Sequence, residues 1–216
     1  MTDKTLILVT GASRGLGFAV AAALAGPDTI LIAVARTMGG LEDLDDIVKA
    51  KGGAMVLVPL DITNEAGLQS MGRALHDRWG RIDTFIHAAA HAVPLAPTGH
   101  IGEKDLDRAF AVNARATQRL ITMLDPLLAA SKNGRAVIVD DAFAPEKFGG
   151  AYVASKAAAR AFATSWAAEA AKTGPRVTFF TPAPMKTALR ARFFPGEDRD
   201  LLADPKTEAA RLIAQL

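Results

Sequence analysis

Apolar positions along this chain fall into short unbroken runs separated by longer stretches with helical spacing. The runs cover residues 5–9, 29–35, 54–60, 84–88, 135–139 and 176–181. They are rich in Val, Ile and Leu and are short enough to be strands. Between them, residues 16–24, 41–51, 64–79, 105–130 and 150–172 carry apolar residues at the spacing of one helix face. Gly26, Pro27 and Asp28 break the first helix, and Asn64 is placed to cap the third. None of the runs alternates polar with apolar, so each strand is buried on both faces, as in a parallel sheet covered by helices. Strands separated by helices of this length predict right-handed βαβ units, hence a doubly wound α/β sheet of six strands in three layers. After Pro182 only short helical stretches follow, and no seventh strand is visible. No repeat or linker divides residues 1–216, which read as one domain.

Composition narrows the function classes. Half of the residues are apolar and 22% are charged, the balance of a folded globular chain. Lys and Arg number 25 against 23 Asp and Glu, an excess too small to argue for nucleic acid. The chain has no cysteine, which excludes a disulfide framework, a thiolate metal site and a cysteine nucleophile. No metal site is expected. Arg36 closes the longest apolar run well short of membrane-spanning length. Met1 to Lys4 lead directly into the first strand, without a secretory apolar region. The expected location is the cytoplasm.

The first chemical signal is the junction of the first strand and the first helix. It reads Thr10-Gly11-Ala12-Ser13-Arg14-Gly15-Leu16-Gly17. Glycines at 11, 15 and 17 permit a tight turn and close approach of backbone to a pyrophosphate. The helix start adds free N–H groups and a positive dipole end. The second strand ends in Ala35-Arg36, where a site selective for NAD places a carboxylate on the ribose hydroxyl. Arg36 and Arg14 can instead grip a 2′-phosphate, so NADP(H) is favoured over NAD(H). The second signal is Tyr152-Val153-Ala154-Ser155-Lys156. Residues four apart share a helix face, so the phenol and the ammonium can enter one cleft, where the cation is expected to lower the tyrosine pKa. Tyr152 could then act as general acid or base between a carbonyl and an alcohol.

The turn and the Tyr-x-x-x-Lys pair together resemble those of classical short-chain dehydrogenases/reductases, along nearly the whole chain. The resemblance implies a Rossmann fold with strand order 3-2-1-4-5-6. It implies that Thr10, Gly11, Ser13, Arg14, Gly15, Leu16, Gly17 and Arg36 hold the cofactor, joined by Asp61 and Ile62 after the third strand and by Ala88, Ala89 and Ala90 after the fourth. It gives Tyr152 and Lys156 catalytic and ribose-binding roles, and gives Asn113 the support of the lysine through a water-linked proton path. Pro182, Met185 and Thr187 match the segment that meets the nicotinamide, with Ala183 in place of the usual glycine. His87, at the end of the fourth strand, is read as a hydrogen-bonded structural residue.

Two departures stand out. The family's catalytic serine is replaced by Asp141, in the pair Asp140-Asp141, and no serine lies between Lys132 and Tyr152. An ionised Asp141 cannot donate to a carbonyl oxygen, and its charge would raise the Tyr152 pKa and repel a developing alkoxide. It could be protonated in a dry site, pair with Lys156 or a cationic substrate group, or mark a site that has lost its chemistry. The missing seventh strand argues against the family's usual tetramer. The alanines of residues 157–171 leave a two-fold dimer open, or else simply face the sheet. A substrate pocket of Ala142, Phe143, Phe148, Met185, Leu189 and Phe193 suits a small, mostly apolar carbonyl or alcohol. Three readings stand side by side: an NADP(H)-dependent oxidoreductase, a catalytically silent NADP(H)-binding protein, and a Rossmann-like domain that binds another nucleotide or none.

Overall fold

The computed structural model describes residues 4–142 and 144–216. Each of the six apolar runs forms a strand: β1 (Thr5–Thr10), β2 (Thr29–Ala35), β3 (Ala54–Pro59), β4 (Thr84–His87), β5 (Arg135–Val139) and β6 (Arg176–Phe180). All pair in parallel, in the order β3-β2-β1-β4-β5-β6. The chain starts at the centre, winds out to β3, returns past β1 and winds out to β6. That reversal beside β1 opens a crevice at the carboxyl ends of β1 and β4.

Strand side chains divide between two helix layers. Leu6, Leu8, Ile32, Val34, Phe85 and Ile138 pack with α3 (Glu65–Trp79), α5 (Ala116–Ala129) and α6 (Gly150–Ala170). Ile7, Val9, Leu31, Ala33, Ile86 and Val137 face α1 (Gly15–Leu24), α2 (Gly39–Ala50) and α8 (Pro205–Ile213). The alternation within each strand therefore serves two cores, which is why both faces had to be apolar. Asn64 caps α3 by accepting from Gly67 N at 3.0 Å, and Gly80 ends it in the left-handed conformation.

The stretch 105–130 is not one uninterrupted α-helix. It divides into α4 (Glu103–Ala109), a π-helical turn over Phe110–Arg115, and α5. The extra residue of a π turn leaves the apolar spacing nearly unchanged, so the sequence pattern does not reveal it. The turn carries Asn113, whose side chain is fully engaged: Oδ1 accepts from His91 N at 2.7 Å, and Nδ2 donates to His91 O and to Ser155 Oγ. On α6, Ala159, Ala163 and Ala170 face the core, while Ala157, Ala161 and Ala168 remain exposed.

Beyond β6 the chain makes α7 (Ala188–Phe193) and α8, and the described residues contain no seventh strand. One parallel bridge, Met185 with Ala203, lies beyond the end of β6. β6 is thus an edge of the sheet, with the guanidinium groups of Arg160 and Arg211 over its Phe179 and Phe180 rings. Among the described residues, no helix is long and apolar enough to cross a membrane.

Candidate active site

The β1–α1 turn is built for close approach. Gly11 sits at φ +73°, and a Cβ there would lie 2.8 Å from Ala89 N. A Cβ on Gly17 would lie 2.4 Å from the Gly11 carbonyl oxygen, so only glycine lets α1 begin this tightly under the turn. Arg14 is the N-cap residue of α1, in extended conformation, and no side chain caps the helix. The amides of its first turn are thereby left available to an anionic ligand, and the residues present fit a dinucleotide pyrophosphate.

The crevice is a cleft of about 880 Å³. Gly11, Ser13, Arg14, Gly15, Leu16 and Gly17 form its floor, with Ala88, Ala89 and Ala90 alongside. Arg36, Asp61 and Ile62 lie on its walls, and so do Asp141, Tyr152, Lys156, Pro182, Met185 and Thr187. Arg14 and Arg36, both on the cleft, are exposed. The fold thus gathers site residues from widely separated segments around one opening.

Two of the expected site residues do not line it. Thr10 is fully buried and braces the turn from behind. Its Oγ1 lies 2.7 Å from His87 Nδ1 and accepts from Ala89 N at 3.4 Å. Asn113 also lies behind the cleft, joining the π turn to the His91 backbone and to α6 through Ser155. His87 is structural, as expected: buried, with Nε2 2.9 Å from Thr117 Oγ1. Burial, helped by the charge of Lys156, lowers its pKa to about 3. Asp61 accepts from Thr63 N, Thr63 Oγ1 and Arg108. Its partial burial opposes the charge, but these bonds outweigh it and hold the pKa at about 2.

At the chemical end, Tyr152 is buried on α6, its ring 4.8 Å from that of Phe193. Its hydroxyl donates to Asp141 Oδ2 at 2.9 Å. The expectation that Lys156 lowers the tyrosine pKa fails, while the opposite pull expected of Asp141 is present. Burial, the Asp141 charge and the bond donated to it push the phenol far above its ordinary value. Lys156 Nζ donates instead to the Val139 carbonyl at 2.7 Å, and burial lowers its pKa against the pull of Asp140 and Asp141. Asp140 pairs with Arg160 and accepts from the Asp141 amide. The two carboxylates of the pair are thus separated by function: one faces out to a cation, the other faces the phenol.

The expected substrate pocket is half right. Met185, Leu189 and Phe193 line the cleft. Ala142 and Phe148 are exposed and do not, and Phe148 has the left-handed φ of +64°. Phe143 lies outside the described residues. The sequence reading missed Arg190, which lines the cleft, forms a two-pronged pair with Glu197 at 2.6 and 2.7 Å, and stacks on Phe194. It also missed Glu208, a buried carboxylate that accepts from Ala183 N. Charged residues in a short terminal helix look solvated in sequence, and only the fold reveals their partners. Among the described residues, no group of three His, Asp or Glu side chains gathers as a metal site.

A parallel sheet wound in this order, with a glycine turn at its switch point and a Tyr–Lys pair across the cleft, defines a Rossmann-type oxidoreductase. The chain belongs to the short chain dehydrogenase family, whose pattern it matches over residues 5–198. It is 30% identical over 185 residues to ketoacyl reductase HetN of Nostoc sp., covering 84% of this chain and 63% of that protein. An uncharacterised oxidoreductase of Staphylococcus epidermidis is 28% identical over 208 residues, covering 95% of this chain and 89% of the relative. A short chain dehydrogenase of Shigella flexneri 2a, solved in complex with NADP, superposes with a TM-score of 0.84 at 25% identity, covering 95% of this chain and 89% of that one. This chain therefore spans a little under two thirds of the Nostoc reductase but most of the other two.

Proposed function

We propose that the protein is an NADP(H)-dependent oxidoreductase that interconverts a small carbonyl compound and its alcohol, with one domain carrying both cofactor and substrate. The observation that carries this reading is the joint placement of an uncapped α1 N-terminus, two exposed guanidinium groups and a Tyr152–Lys156 pair around one cleft. Arg14 and Arg36 would hold the 2′-phosphate, and the α1 amides the pyrophosphate. An NAD(H) ribose would offer these two cations only a hydroxyl. NADP(H), when bound, supplies or accepts the hydride. Tyr152 holds the proton that a carbonyl oxygen needs on becoming an alcohol, at a hydroxyl that substrate can reach only by replacing Asp141 as its partner. Lys156 and the Asn113 network keep α6 and the π turn in place around that proton. Met185, Leu189 and Phe193 give the substrate an apolar wall.

One observation favours a second reading. The Asp141 carboxylate already engages the phenol, which suits a nucleotide-binding protein that has given up the reaction. Titration with NADPH and NADH, followed by a carbonyl panel assayed with wild type and Tyr152→Phe, separates the readings. NADPH-dependent turnover that falls by about 10²–10⁴ in the variant supports the enzyme. Tight NADPH binding with no turnover on any carbonyl supports the silent protein, and absence of binding rejects both.

A further inference from the structure

The wall of the cleft next to Tyr152 is the segment Pro182-Ala183-Pro184-Met185-Lys186-Thr187, all of it in contact with the opening. It contains two prolines, which have no N–H. Across residues 182–184, the Ala183 amide is therefore the only backbone donor. It is given to Glu208 Oε2 at 3.0 Å. Glu208 is 3% exposed, an unusual place for a carboxylate unless it is paired. Arg211, one turn further along α8, donates to the same oxygen at 2.6 Å and is itself half exposed, so the buried charge is balanced from the solvent side.

The rest of the wall is held by the same returning stretch. Ala203 N donates to Pro184 O at 2.9 Å, and Lys186 N donates to Ala203 O at 3.0 Å. Thr187 caps α7 by accepting from Arg190 N, and its methyl group lies against Gly15 of the phosphate turn. Behind this, α8 is anchored by Ala209 and Leu212 in the core shared with α1, and its own start is capped by Asp204. The wall is thus carried by residues 203–211, in a chain that has no seventh strand among its described residues.

We propose that Glu208 is a positioning residue for the reacting end of the cofactor: its hydrogen bond to Ala183 sets the wall on which the nicotinamide half of NADP(H) would rest. This rests on the NADP(H) reading above. Glu208 does not line the cleft and would act only through the 182–187 wall, which follows β6, four strands across the sheet from β2 and Arg36. Its loss should therefore weaken NADPH, which spans the whole cleft. It should spare adenosine 2′,5′-bisphosphate, which reaches only the 2′-phosphate end.

The experiment measures dissociation constants for both nucleotides by calorimetry, in wild type, Glu208→Gln, Glu208→Asp and Glu208→Leu, with thermal unfolding alongside. Gln keeps an acceptor for Ala183, so NADPH binding should stay within about threefold of wild type. Leu removes the acceptor, and Asp is too short to reach Ala183 but keeps a charge for Arg211. Both should weaken NADPH by about tenfold while the bisphosphate changes by less than about twofold. If the Leu variant fails to fold, the Asp variant decides. Unchanged NADPH affinity in a folded Asp or Leu variant, or equal losses for both nucleotides, overturns the proposal. A wild type that binds the bisphosphate and NADPH equally weakly would instead overturn the cofactor reading, and this inference with it.

Discussion

The phenol of Tyr152 is already engaged: its hydroxyl donates to Asp141 Oδ2 at 2.9 Å, where the family carries a serine. A serine could both accept from the tyrosine and donate to a substrate oxygen, whereas a carboxylate can only accept. In the proposed reaction, Asp141 therefore engages the very proton that Tyr152 would have to release.

Replacing it should free that proton. In Asp141→Ser the second-largest cause of the raised tyrosine pKa disappears, burial remaining the first. Reduction of a carbonyl should accelerate by about tenfold or more in kcat/KM. Alcohol oxidation needs the phenolate, so its rate rises with pH through the tyrosine pKa. The variant should move that rise to lower pH. Initial rates against pH in both directions test this, and coincident profiles for variant and wild type would rule the coupling out.

Arg36 and Arg14 flank the adenosine side of the proposed site. Losing one charge-assisted bond costs about 1.5–3 kcal/mol, so Arg36→Ala should weaken NADPH by roughly tenfold to a hundredfold and leave NADH nearly unchanged. The preference should shrink as salt is added. A variant that loses both nucleotides equally would show that Arg36 does not read the 2′-phosphate.

Gly17 has no room for a side chain, since the Gly11 carbonyl would lie 2.4 Å from an added Cβ. Gly17→Ala should cost about 1–3 kcal/mol of stability through forced backbone movement, and should weaken nucleotide binding as the turn opens. Denaturant unfolding and NADPH titration of the same sample check both. Normal binding in a destabilised variant would separate the turn from the site.

How much of this was legible in sequence follows from what sequence encodes. The six strands came from unbroken apolar runs, because burial on two faces leaves no alternating pattern, whereas their order came only with the family resemblance. The cleft floor was legible because glycine spacing is a backbone requirement, written directly into residue identity. The π turn at Asn113 was not, since one added residue hardly disturbs an apolar stripe. Nor was the direction of Lys156, which depends on the Val139 carbonyl one strand away. Thr10 matches the motif yet braces the turn from behind, which motif matching alone cannot distinguish from touching a ligand. Phe148 looks like an apolar pocket residue in sequence, yet it is exposed.

His87 makes stability sensitive to acid. Its pKa is about 3 when folded against 6.5 unfolded, so between those values the unfolded chain binds a proton that the folded one refuses. The contribution is complete above pH 6.5 and is lost as pH falls, with a slope of up to about 1.4 kcal/mol per pH unit. Urea unfolding from pH 7.5 to 5 should show this decline, and His87→Asn should flatten it. An equally steep decline in the variant would assign the effect to other groups.

The buried row that joins Ala89, Thr10, His87, Thr117 and Asn113 also has a sense. Thr117 Oγ1 spends its hydrogen on the Asn113 carbonyl at 2.6 Å, which leaves only lone pairs for the imidazole. Nε2 must then carry the ring hydrogen, and bare Nδ1 receives the Thr10 hydroxyl. Thr10 in turn has only lone pairs to offer the Ala89 amide. Turning any one member around would set donor against donor or acceptor against acceptor further along. A single tautomer of a histidine that never meets the cleft therefore dictates how the glycine turn, the end of the fourth strand and the π-turned helix interlock, and so where the cleft floor lies.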